Sequence, residues 1–98
     1  MPVSVVIPAY NRKEKLAKTI AGLTQQTYPL DLMQVIIADD GSSDNPDELV
    51  DIFSKYFEIN YIRQDDAGYR LSEIRNKGVK AAKHEQIIIL DCDMLPLP

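Results

Sequence analysis

The chain has 98 residues, 45% hydrophobic and 27% charged, with a formal net charge of −4. That length allows one small domain, which buries about 60–70% of its unfolded surface. The acidic balance argues against a nucleic-acid partner held through phosphates, and no apolar run reaches the roughly 18–20 residues that span a bilayer.

Met1-Pro2-Val3-Ser4-Val5-Val6 lacks a basic start and reads as a strand rather than a signal peptide. Val3 to Ile7 is β-rich and is expected to close at Pro8, which cannot donate to a central ladder. Pro8-Ala9-Tyr10-Asn11 then reads as a loop, with Asn11 placed to cap a helix. Glu14 to Gln26 carries Leu16, Ile20 and Leu23 at helical spacing. Thr27-Tyr28-Pro29 breaks that helix. Leu32 to Ala38 is a second apolar run, and Asp39-Asp40-Gly41-Ser42-Ser43-Asp44 turns the chain. Pro46 suits a helix start, with Leu49, Ile52, Phe53 and Tyr56 expected on the buried face.

Glu58 to Arg63 is a short third strand, with Ile59, Tyr61 and Arg63 on one side and Ile62 on the other. Asp65-Asp66-Ala67-Gly68 turns the chain again. A third helix follows, from Tyr69 or Leu71 to Lys83, with Leu71, Ile74, Gly78 and Ala81 or Ala82 inward. Gly78 costs about 1 kcal/mol of helix propensity, which close packing against the sheet or a ligand would explain. Ile87-Ile88-Ile89-Leu90 is a fourth strand, and its branched aliphatics suit burial on both faces. Strand and helix alternate throughout, so the fold class is α/β, an open parallel sheet of about four strands with helices on both faces.

Three polar clusters each follow a strand directly: Pro8-Ala9-Tyr10-Asn11, Asp39-Asp40-Gly41-Ser42 and Asp91-Cys92-Asp93. In an open parallel sheet those ends share one edge, where ligands bind. Asp91 and Asp93 stand two residues apart, so both carboxylates can face one small volume. Hard oxygen ligands there suit Mg²⁺ or Mn²⁺. Each cluster also has a plainer explanation. Tyr10 can pack in its loop, Asp39 and Asp40 can cap the second helix, and Arg75 can be a surface charge. Arg12, Lys13 and Lys15 read as a solvated helix face, and His84 as solvated surface. Cys92 is the sole cysteine. It excludes an internal disulfide, reads as a small buried residue, and fits a reducing, cytoplasmic compartment.

Taken in order, Val3 to Asn11, Val35 to Asp44, Gly68 to Gly78 with Arg75-Asn76-Lys77-Gly78, and Asp91-Cys92-Asp93 resemble the family-2 inverting glycosyltransferases of GT-A fold. Tyr61 to Tyr69 and Leu90 to Met94 look particularly like the bacterial chondroitin and hyaluronan polymerases. The resemblance implies the Rossmann-like half of that fold, with strand order 3-2-1-4, over residues 1–98 as a single domain. It implies a UDP-sugar donor, a Mn²⁺ or Mg²⁺ cofactor, and transfer to a polysaccharide or other glycan acceptor.

By the same resemblance, Pro8 and Tyr10 line the uracil and ribose, with Asn11 beside them among the nucleotide-binding residues. Asp40 accepts from the uracil ring and Asp39 supports it. Arg75 and Asn76 approach the nucleotide from the third helix. Asp93 holds the metal, and Asp91 contacts the ribose or the metal's waters. The family continues beyond the Asp-X-Asp to an acceptor site and a general base, so these residues alone are expected to hold the donor half and to be inactive. The parent is expected to be cytoplasmic, with membrane association left open. An apolar edge at strand four then predicts a homodimer through it. A receiver-like, flavodoxin-type metal-binding domain is the alternative, although it would place its acidic pair after the first strand. A structural module without ligand would leave the three clusters unexplained.

Overall fold

The computed structural model describes residues 2–9, 12–25, 29–43, 45–64 and 71–90. Strands β1 (Val3–Ala9), β2 (Met33–Asp39), β3 (Glu58–Arg63) and β4 (Gln86–Ile89) form one sheet in the order β3-β2-β1-β4, every pair parallel. This is the expected 3-2-1-4 order. Helices α1 (Lys13–Leu23), α2 (Glu48–Phe53) and α3 (Leu71–Ala81) make the connections, with a 3₁₀ turn at Leu30–Leu32 before β2. No helix among the described residues is long and apolar enough to cross a membrane.

The two faces follow from strand alternation. Val3, Val5, Ile7, Val35, Ile37 and Ile59 pack with Leu16, Ile20 and Leu23 of α1 and Leu49 and Phe53 of α2. Val6, Ile36 and Ala38, of opposite parity, pack with Ile74 of α3. The central strands β1 and β2 are therefore covered on both sides, which matches their unbroken Val/Ile runs. Gly78 is needed for this packing: a Cβ there would lie 2.6 Å from Val6 Cγ1 and 3.4 Å from Ala38 Cβ. Its cost in helix propensity is explained by the sheet.

A polar row crosses the α3 face. Ser4 Oγ donates to Gln34 Oε1 at 2.6 Å, and Gln34 Nε2 donates to Asn60 Oδ1 at 2.9 Å. The Lys83 backbone N–H donates to the same Gln34 oxygen at 3.1 Å, which ties the chain leaving α3 to the sheet.

Several expectations need correction. β1 runs through Pro8 to Ala9. Val6 accepts from Leu90, so Val6 and Pro8 share the β4 side, and the β1–β4 register ends at Val6–Ile89. The missing proline donor thus interrupts no β1–β2 bond. α1 stops at Leu23, not Gln26, because the Thr24 hydroxyl takes the Ala21 carbonyl and Gln25 closes a tight turn on Gly22. Its cap position is Arg12, without a side-chain cap bond, and Asn11 lies outside the described residues. α2 ends at Phe53, before Tyr56, which is 43% exposed, and within the helix Leu49 and Phe53 are buried while Ile52 faces outward at 54% exposed. α3 ends at Ala81, which is exposed, while Ala82 is half-buried. β4 is not buried on both faces: Ile87, Ile88 and Ile89 are 36%, 52% and 48% exposed. Among the described residues it lies at the end of the sheet and pairs with β1 alone. Lys13 is not simply solvated, since its Nζ meets Glu48 Oε2 at 2.9 Å and joins α1 to α2.

Candidate functional site

The register sets Ala9, Asp39 and Arg63 side by side at the C-terminal ends of β1, β2 and β3. The ladder then continues by one residue. Asp40 N–H donates to the Ala9 carbonyl at 2.9 Å, and Gln64 N–H to the Asp39 carbonyl at 3.0 Å. Asp39 and Asp40, both fully buried, thus sit on this edge beside buried Gln64. Gly41, at φ 84°, permits the turn that follows, in a region that side chains disfavour.

The Asp39 carboxylate is committed to structure. Oδ1 accepts from the Ser42 backbone N–H at 2.9 Å and from the Ser42 hydroxyl. Oδ2 accepts from the Tyr61 hydroxyl and, at 3.3 Å, from Arg63 Nη1. Arg63 Nη1 also donates to the Ser42 carbonyl at 2.8 Å, so β3 grips both the acid and the turn after it. Burial, and then the bond to Asp39, push the Tyr61 hydroxyl up to about 12. It stays a donor across the physiological range. Asp40 is held differently, with Oδ1 accepting from Gln64 Nε2 at 2.5 Å. Neither acid caps α2, whose cap position is Asp47.

The other site candidates divide. Pro8 is half-buried near the end of β1, one residue before Ala9. Arg75 and Asn76 are exposed on α3, next to the inward Ile74. Tyr10, Asn11, Asp91 and Asp93 lie outside the described residues. Leu90, the last described residue before Asp91, donates its N–H to the Val6 carbonyl at 2.9 Å. Among the described residues no group of three or more His, Cys, Asp or Glu is placed to hold a metal ion.

Sequence reading missed the parts that Ser42, Tyr61, Arg63 and Gln64 play. The signal was present in the alternation of β3, which sets Tyr61 and Arg63 on one side. What it lacked was the register that brings that side to Asp39.

Residues 4–98 match the sequence family described as glycosyl transferase family 2. Chondroitin synthase of Escherichia coli is 49% identical over 96 residues, covering 98% of this chain and 14% of that protein. Hyaluronan synthase of Pasteurella multocida is 37% identical over 98 residues, covering 98% of this chain and 10% of that one. The chain therefore spans a small part of the length of these relatives. Among solved structures, S. aureus TarS 1–349 in complex with UDP-GlcNAc superposes with a TM-score of 0.81 at 24% identity. That match covers 95% of this chain and 27% of TarS 1–349, and at this identity it speaks to the fold.

Proposed function

The chain belongs to glycosyl transferase family 2, and from that premise we propose that its polar sheet edge binds the nucleotide of a UDP-sugar together with a divalent cation. The sugar would pass to a glycan acceptor in the longer proteins of this kind, and residues 1–98 would supply the donor half. The observation that carries this reading is the buried Asp39–Asp40 pair at the C-terminal edge of the sheet. A buried carboxylate is costly unless hydrogen bonds surround it, and here four donors surround Asp39. The pair so held lies at the C-terminal edge of a parallel sheet, where folds of this kind bind ligands. The kinship with chondroitin and hyaluronan synthases points to a sugar polymer as the acceptor class.

In this reading Asp40 accepts the uracil ring N–H and Asp39 fixes the turn that carries it. Pro8, Tyr10 and Asn11 line the base and ribose, and Arg75 and Asn76 approach from α3. Asp93, with Asp91 beside it, holds Mn²⁺ or Mg²⁺, since paired carboxylates are the hard oxygen donors such ions take. A cation held there would supply positive charge against the diphosphate of the donor. The receiver-like alternative is not carried further, because residues 4–98 match a glycosyltransferase family.

Titration calorimetry of the 98-residue chain with UDP tests the proposal. Binding that needs Mn²⁺ or Mg²⁺ is the expected result. No uridine nucleotide binding, with or without the cation, would overturn it.

A further inference from the structure

We infer that Gln64 is a positioning residue for base specificity: its side-chain amide holds the Asp40 carboxylate in the orientation that reads a uracil ring N–H. This deepens the donor-binding proposal and rests on it. The two residues occupy adjacent positions one step beyond β2 and β3, held there by Asp40 N–H to Ala9 and Gln64 N–H to Asp39. Gln64 is 5% exposed and Asp40 is fully buried. Gln64 Nε2 donates to Asp40 Oδ1 at 2.5 Å. A carboxylate accepts and never donates, so it orders this amide with its NH₂ inward.

The chemical consequence concerns uracil and cytosine. Uracil presents a donor at ring N3, and cytosine presents an acceptor at N3 with a donor amine beside it. The bond at Oδ1 sets the plane of the Asp40 carboxylate, and in the proposed site that plane suits the N3 donor of uracil. Without the Gln64 bond that plane is set less firmly, and the carboxylate discriminates less well between the uracil donor and the cytosine amine. Discrimination then depends on Gln64 as much as on Asp40, although Gln64 itself need not touch the base.

The test is calorimetry on the full chain with UDP and with CDP, each in the presence of Mn²⁺. The parent is expected to prefer UDP. Gln64→Met keeps the volume and removes the donor. It is expected to weaken UDP binding about tenfold, as loss of one bond to a charged group implies, and to leave CDP nearly unchanged. Gln64→Glu gives a second readout, because two facing carboxylates must share a proton. Its preference for UDP should survive near pH 5 and fall away by pH 8. A Met variant that keeps the parent's UDP preference, or a Glu variant whose preference ignores pH, would overturn the role of Gln64 alone. A parent that binds UDP and CDP equally would overturn the reading of Asp40, and this inference with it.

Discussion

Tyr61→Phe removes one hydroxyl from the support of Asp39 and leaves the ring in place. The hydroxyl donates to Asp39 Oδ2, an oxygen that keeps Arg63 as its other partner. Its titration gives the magnitude of the pH-dependent part. In the folded chain the group is pushed up from 10.0 to about 12, first by burial and then by the bond to Asp39. That interval is worth about 2.7 kcal/mol for a group wholly out of water. Tyr61 is only partly buried, and solvent screening brings the expectation to about 1 kcal/mol. The sign follows from proton counting. Between pH 10 and 12 the unfolded chain has lost the Tyr61 proton and the folded chain keeps it. Stability from this group is therefore full below pH 10 and is lost as pH rises through 12. The assay is thermal unfolding of parent and variant from pH 7 to pH 12. At pH 7 the variant should melt about 4–8 °C lower, because the lost hydrogen bond to Asp39 is worth about 1 kcal/mol and that is its usual equivalent in a domain of this size. The gap should narrow between pH 10 and 12, where only the parent has the Tyr61 proton to lose. Parallel curves over that range would refute the reasoning.

Gly78→Ala should destabilise the fold by about 1 kcal/mol in urea titration, because overpacking against the stiff, buried Val6 outweighs the gain in helix propensity. In a Val6→Ala background the same change should stabilise, and a stabilising single variant would disprove the contact. Asp93→Ala should abolish cation-dependent UDP binding and Asp91→Ala should weaken it less. Undiminished binding by the Asp93 variant in calorimetry would remove it as the metal ligand. At micromolar concentration the 98-residue chain should self-associate through the exposed side chains Ile87 to Ile89. Ile88→Lys should restore the monomer, and light scattering that finds the parent monomeric would end that proposal.

The sheet was legible because its signals are local and agree with one another. Val35-Ile36-Ile37-Ala38 has no polar side, so the strand needs cover on both faces, and it has it. The alternation of Ile59, Tyr61 and Ile62 in β3 likewise fixed which side meets which core. β4 shows the limit of such reasoning. Ile87-Ile88-Ile89 has the same composition as β2, yet it is exposed, because burial depends on a strand's place in the sheet. Ile52 and Tyr56 fail for a related reason. Tyr56 lies beyond the end of α2 at Phe53, and Ile52 lies within it but is exposed while Leu49 and Phe53 are buried, so a helical spacing alone set neither the length nor the width of the buried face. Ser4 and Gln34 gave no signal at all, since their bond pairs residues 30 apart across two strands.

The doubled acid is where local pattern and tertiary structure have to be read together. Adjacent residues at a strand end point to opposite sides, so Asp39 and Asp40 cannot serve as two ligands at one spot. Asp39 belongs to the side of Tyr61 and Arg63, and Asp40 to the side of Gln64. The pleat divides the pair into an acid that braces the turn and an acid held by Gln64. Bracing draws on donors from β2's own turn and from β3, so replacing Asp39 would release Ser42, Tyr61 and Arg63 together. Replacing Asp40 would leave that brace intact. A loss of nucleotide binding with only the stability cost of the Gln64 bond is therefore the expected signature of Asp40, and a loss of binding with the larger cost of the whole brace is that of Asp39.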